Sequence, residues 1–212
     1  MTSILRTLMA AGLPPIEYRS QASTSNSGTG ASLTITKPSN TASGDLMVAV
    51  MAHSSGTGTW TGDTGWTEAA EFTSDDPHLR IAYKVAGGSE GASYTFTCSS
   101  SSRLLSGTIL AYKYAIWDTQ GTFASATGPL VAPQITVAVD NSILIAAYAA
   151  TNTGQTATTP SGMSVQKIDS DANSPSYGIF DEAVDAGATG TRSSSLGGTT
   201  NNAGIIFAIK PA

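Results

Sequence analysis

Charge is scarce in this sequence. Only 12% of its 212 residues are Asp, Glu, Lys or Arg, about half the usual share. The balance is mildly acidic, with a net charge of −5 and a pI near 4.8, which argues against a phosphate-backbone binder, since that needs a basic face. Cysteine is almost absent. Cys98 stands alone, so no intrachain disulfide can form, and synthesis in a reducing cytoplasm is the expectation. Long hydrophobic runs are missing too, and no stretch reaches the ~18 apolar residues of a membrane span. The N-terminal MTSILRTLMAAGLPP has only a short, interrupted apolar stretch, unlike a secretion signal. There is no N-x-[ST] acceptor for glycosylation.

What fills the space is Ser (28), Thr (29) and Gly (22). Thr suits strands, while Ser and Gly suit turns. With 40% hydrophobic residues and a mean hydropathy of +0.01, the chain reads as an all-β globular protein. Its length would bury roughly 70% of the unfolded surface.

The chain also repeats itself. SGTILAYK (106–113) returns as AGIIFAIK (203–210), 97 residues later. At the same offset DLMVAVMAH (45–53) falls on SILIAAYAA (142–150), and Gly65-Trp66 falls on Gly162-Met163. With one inserted residue, Ile81 falls on Ile179. LTIT (33–36) is matched to ITVA (135–138) after a gap. A period this long is a duplicated half-domain, not a solenoid. Each half carries about six strand-like runs between turn residues. In 46–51 both alternating sets are apolar, as in a strand buried on both faces. These features predict an antiparallel β-sandwich of jelly-roll or Greek-key type. It would span 16–212 and be built from half-repeats at about 31–115 and 133–212; the alternative is two separate small sandwiches, for which 116–133 is the only linker candidate. Before it, Ser3, Gly12 and Pro14-Pro15 bracket a short N-terminal helix. Its apolar face of Ile4, Leu5, Leu8 and Met9 makes residues 1–15 a candidate docking arm.

Chemistry is harder to find. GGSEG (87–91) fits the nucleophile-elbow pattern at Ser89, but a strand follows it and both histidines, His53 and His78, precede it. It reads as a Gly-rich hairpin turn. Ser164 and Lys167 form S-x-x-K within a strand-like run. DSDANS (169–174) starts like a calcium loop but has Ser174 where an EF-hand needs Gly and Phe180 where it needs Glu. Asp75, Asp76 and His78 share a turn and read as solvated. His53 reads as a rim residue and Cys98 as a small core residue. Glu68, Glu71, Asp181 and Glu182 lie on strands that could bring carboxylates together, although surface charge is the plainer reading. No catalytic residue, metal ligand or cofactor is therefore assigned. Trp60, in a Gly/Thr loop and matched by Ala157 in the repeat, and Trp117, in the connector, are candidate exposed aromatic contacts for a sugar face or a neighbouring subunit.

The order KPSNTASGDLMVAVMAH, GDTGWTEAAEF, LRIAYKVAGGSEGASYTFT and SGTILAYKYA resembles a β-sandwich unit of tailed-bacteriophage virion proteins. The match covers about 33–115, and the second half follows only as its degenerate duplicate. The resemblance implies a non-enzymatic structural or attachment role in a virion assembled in the host cytoplasm, such as capsid decoration, head spike or tail component. It implies other virion proteins as partners and a homo-oligomer, with neither nucleic acid nor membrane. The alternative is a carbohydrate- or receptor-binding tail or adhesin module, with a glycan as partner.

Overall fold

The computed structural model describes residues 13–54, 58–62, 64–73, 77–99, 103–197 and 201–212. Every helix or strand assigned among them is a strand. The expected N-terminal helix, with Ile4, Leu5, Leu8 and Met9, lies outside the described residues.

The first eight strands are β1 (Glu17–Gly30), β2 (Ser32–Thr36), β3 (Leu46–His53), β4 (Trp60–Thr61), β5 (Thr67–Phe72), β6 (His78–Val85), β7 (Ser93–Cys98) and β8 (Arg103–Lys113). They form a large sheet in the order β1-β8-β3-β6-β5 and a small one in the order β2-β7-β4. The period-2 alternation of SLTIT and SYTFTC explains the small sheet. Leu33, Ile35, Tyr94, Phe96 and Cys98 point inward, and the Ser and Thr residues between them face solvent. β3 is buried along its whole length, as its doubly apolar sequence predicts.

The remaining strands are β9 (Ala115–Gln120), β10 (Ala124–Thr127), β11 (Leu130–Ala132), β12 (Thr136–Val137), β13 (Ser142–Thr153), β14 (Ser164–Asp169), β15 (Pro175–Val184), β16 (Gly187–Ala188), β17 (Arg192–Ser194) and β18 (Asn201–Pro211). A second large sheet runs β10-β18-β13-β15-β14, with β9 also on β18, and the ladders β11-β17 and β12-β16 are separate. All pairings are antiparallel.

The layers stack four deep. One core lies between the first small and large sheets and contains Leu33, Met47, Phe96 and Ile109. A second lies between the two large sheets, where Leu46, Val48 and Val50 meet Ile145, Ala147, Ile205 and Phe207. A third lies between the second large sheet and its outer ladders, with Leu130, Leu144, Tyr148 and Ile206. The middle core makes the two halves share one interior.

The register recurs with the sequence. Ala49 pairs with Ile109, and Ala146 with Ile206, each partner 97 residues later. Val50 pairs with Ile81, and Ala147 with Ile179. β5 bulges between Glu68 and Ala70, and β14 between Val165 and Lys167. Gly65 and Gly162 both have φ +86°.

Two expectations change. Leu33 pairs with Phe96 as Leu130 pairs with Ser194, so LTIT corresponds to 130–133 rather than 135–138. Pro133, lacking an N–H, interrupts that strand, and β12 resumes it in the same register. Residues 116–133 are also not a connector. They form β9, β10 and β11, and Trp117 faces Ile209 as Tyr18 faces Tyr112. Gly121 and Gly128 mark a break and a corner in the strands, not an inter-domain link.

Candidate functional site

Because β5 pairs with β6 and not with β4, the first small sheet ends at β4. Among the described residues, no fourth strand of the small sheet lies over the inner face of β5 and β6. That face carries charge. A regular strand would send Glu68 and Glu71 to opposite sides, but the bulge at Ala69 brings both towards Arg80. Arg80 is only 5% exposed. Its Nη2 lies 3.2 Å from Oε2 of the half-exposed Glu68, and Glu71 stands directly opposite it across the ladder. Glu71 Oε1 accepts the Trp60 backbone N–H at 2.8 Å. Burial raises the Glu71 carboxyl above its ordinary value, against the Trp60 N–H and the Arg80 charge, with Glu68 adding to the rise.

Trp66 completes the rim, edge-on to Tyr94 and Phe96, each at 5.3 Å. The exposed Gly62 lies beside both Trp66 and Arg80. Deeper in, the buried rings of His53 and His78 stack at 4.1 Å, with Trp60 5.9 Å from His53. His53 Nε2 is 2.9 Å from the Gly58 carbonyl. Arg80 Nε, Arg80 Nη1 and the indole N–H groups of Trp60 and Trp66 are buried without an acceptor.

A second polar group lies in the seam between the large sheets. Tyr112 donates to Asp181 Oδ2 at 3.2 Å, and Gln166 Nε2 donates to Oδ1 at 2.7 Å. Burial pushes the Asp181 carboxyl up, against those two hydrogen bonds and with Glu182 adding to the rise. Near the end of the same seam, a shallow cleft of about 290 Å³ is lined by Arg19, Asp45, Lys113 and Tyr114. The buried Asp45 is held there by Arg19 and by the Ala42 N–H.

The other expected site residues scatter. Trp60 is 2% exposed, which corrects its assignment as an exposed contact. In T-W-T the threonines face solvent, and the indole is the inward residue that closes the core at the edge of β4. Trp117 is half-buried and stacked between Tyr83 (4.7 Å) and Phe207 (5.3 Å), and it plugs the seam between the halves. Asp181 and Glu182 point to opposite faces, one to Tyr112 and the other to Arg192, so only Glu68 and Glu71 of the four carboxylates come together. His78 opens β6 and Ser89 lies beyond its far end, roughly 25 Å away along an eight-residue strand. The GGSEG turn is not a hairpin, because it carries the chain from the large sheet to the small one. Its chemistry lies in Glu90, which sequence reasoning missed. Asp169 and Asp171 accept hydrogen bonds from the N–H groups of Asp171 and Asn173 in their own loop. Asp75 and Asp76 lie outside the described residues. Cys98 is a buried free thiol.

Compared with known proteins, the chain matches no protein-family model, no curated protein and no solved structure.

Proposed function

We propose that the chain is a non-enzymatic structural protein of a tailed-bacteriophage virion. In this reading it is a capsid decoration or head-spike protein, docked through residues 1–15 and built from two duplicated jelly-roll halves. The observation that carries the reading is the strand order. Strands 1-8-3-6 in one sheet and 2-7-4 in the other follow the order of two nested Greek keys, as in viral capsid and lectin domains, except that β5 joins the large sheet beside β6 instead of the small one beside β4. Support for duplication comes from the registers among β3, β5, β6 and β8, which recur among β13, β14, β15 and β18 at offsets of 97 or 98, while β1 corresponds to β9 at an offset of 99. The titratable side chains also support a structural role. Glu90 ties Lys84, Tyr94 and the Gly87 N–H, Asp45 ties Arg19 and the Ala42 N–H, and Glu182 ties Arg192. On a symmetric shell, many modest contacts act together.

Quantitative mass spectrometry of purified virions tests this. The expected result is a high copy number matching the capsid symmetry, lost when residues 1–15 are deleted. A handful of copies moves the protein to the tail, and absence from the particle ends the reading. The alternative, a carbohydrate- or receptor-binding module, loses its argument from an exposed Trp60 and needs other residues.

A further inference from the structure

The two halves provide an internal control for the charged face of β5 and β6. In the second half the positions of Trp60, Trp66, Glu68, Glu71 and Arg80 are held by Ala157, Met163, Val165, Ile168 and Gly178. The ladder partners match, with Glu71 opposite Arg80 and Ile168 opposite Gly178. The second half is also tightly packed at this place. A Cβ on Gly178 would meet the Ala157 Cβ at 2.7 Å and the Phe180 ring at 2.8 Å. The scaffold therefore does without charge at these positions. A buried donor left without an acceptor costs about 1–3 kcal/mol, and apolar replacements of buried ionic groups are often neutral or stabilising. A half that keeps Arg80, Trp60 and Trp66 with four unmet N–H donors breaks a local rule that its duplicate obeys, and such breaks cluster at functional sites.

We propose that this face of the first half is a binding site for a neutral saccharide. The ligand class follows from the groups present. Two carboxylates, Glu68 and Glu71, disfavour an anion, and the guanidinium between them disfavours a cation. Sugar hydroxyls both donate and accept at close spacing. They would donate to the carboxylates and accept from Arg80 Nε and Nη1 and from the indole N–H groups, which are closed to solvent and come within reach only when the exposed Glu68 side chain and the Trp66 ring at the rim turn aside. Glu68 and Gly62 are exposed and form the mouth, while Arg80 and Trp60 form the floor. This site does not depend on the virion reading, because neither copy number nor the N-terminal segment enters it.

The test is a titration of the ¹⁵N-labelled full chain, read at its three tryptophan indole resonances. The panel is neutral mono- and oligosaccharides, with sialylated and uronic-acid counterparts as separate arms. Trp117 is the comparison signal, since its Nε1 already donates to Gln120 Oε1 and its ring lies against Tyr83 on the opposite face of the β5–β6 ladder. The expected result is saturable movement of the Trp60 and Trp66 signals with a neutral sugar and none at Trp117. Glu68→Gln, at a half-exposed side chain, is expected to weaken that binding about tenfold, the effect of losing one charged hydrogen bond. Arg80→Met is expected to abolish it with the indole spectrum otherwise folded. The proposal is overturned if no neutral sugar moves Trp60 or Trp66, if Trp117 moves with them, if Glu68→Gln binds like the parent, or if the acidic counterparts bind tighter.

Discussion

Glu90 and Asp181 are both largely buried carboxylates, yet they act on stability with opposite sign. Burial opposes ionisation of Glu90. The Gly87 N–H at 2.7 Å, Lys84 Nζ at 2.9 Å and the Tyr94 hydroxyl at 2.8 Å outweigh it and hold the carboxyl down at about 2. A carboxylate with a depressed folded-state value stabilises above its unfolded value, and that contribution is lost as pH falls through the folded one. The Glu90 contribution is therefore complete above about pH 4.5 and disappears towards pH 2, with a size of about 1–2 kcal/mol once solvent screening is counted. Glu90→Gln is expected to lower the unfolding free energy by about that much at pH 7 and to flatten its acid dependence, read by urea denaturation across this range. Asp181 is raised, so its ionisation works against the fold as pH climbs past the ordinary aspartate value. Asp181→Asn keeps the Tyr112 hydroxyl supplied with an acceptor and is expected to cost under about 1 kcal/mol at neutral pH, against the larger loss at Glu90. Neither role was legible in the sequence. GGSEG drew attention to Ser89, whereas the residue holding the turn is its neighbour. Trp60 looked exposed because it sits among Thr and Gly, yet those threonines are the outward half of an alternation only two residues long.

At the scale of the strand, the repeated phrase keeps a glycine for a steric reason. Gly107 lies in the middle of β8, where a Cβ would come within 2.7 Å of Leu33 Cδ2 and 2.9 Å of Ile35 Cδ1. Gly204 occupies the matching place in β18, where a Cβ would meet Tyr148 Cδ1 at 2.6 Å and Leu130 Cδ2 at 2.8 Å. In both halves the outer strand presses leucine into the gap that the glycine leaves, Leu33 in one and Leu130 in the other. Gly107→Val and Gly204→Val are each expected to destabilise by about 1–3 kcal/mol through overpacking, with Ala milder because the opposing atoms are ends of side chains. Thermal unfolding of the two variants should show similar losses. Much of this level was legible. The long strands β3, β8, β13, β15 and β18 lie in runs recognisable by apolar content and turn residues. The failures came at β1, whose Ser- and Thr-rich sequence carries no apolar alternation, and where short strands are broken. Pro133 cuts the strand begun by Leu130, and Gly121 separates β9 from β10, so punctuation that normally ends an element lies inside one. Glu68 and Glu71 were among the carboxylates the sequence offered as able to meet, but their meeting at Arg80 depends on a bulge that residue spacing does not reveal.

At the scale of the molecule, the link between the halves is one residue. β8 ends at Lys113 and β9 begins at Ala115, with Tyr114 between them at φ +59°. The chain passes from one large sheet to the other without a linker, and the faces it connects are the apolar ones. Leu46, Val48, Val50, Leu110 and Tyr112 of the first half are covered by the second, and Trp117 wedges between Tyr83 and Phe207 at the seam. A half on its own would present that sheet to water, an apolar patch of the kind that drives association. The intact chain is therefore expected to unfold in one calorimetric transition with equal van't Hoff and calorimetric enthalpies. Residues 1–114 and 115–212 expressed separately are expected to aggregate or self-pair, and to recover a soluble one-to-one complex when co-expressed. Trp117→Ala in the intact chain is expected to lower the single transition by about 3–5 kcal/mol without splitting it. Two resolved transitions, or a soluble monomeric 1–114, would mean that the middle core is an ordinary interface between independent sandwiches, and the four layers would then count as two domains in contact.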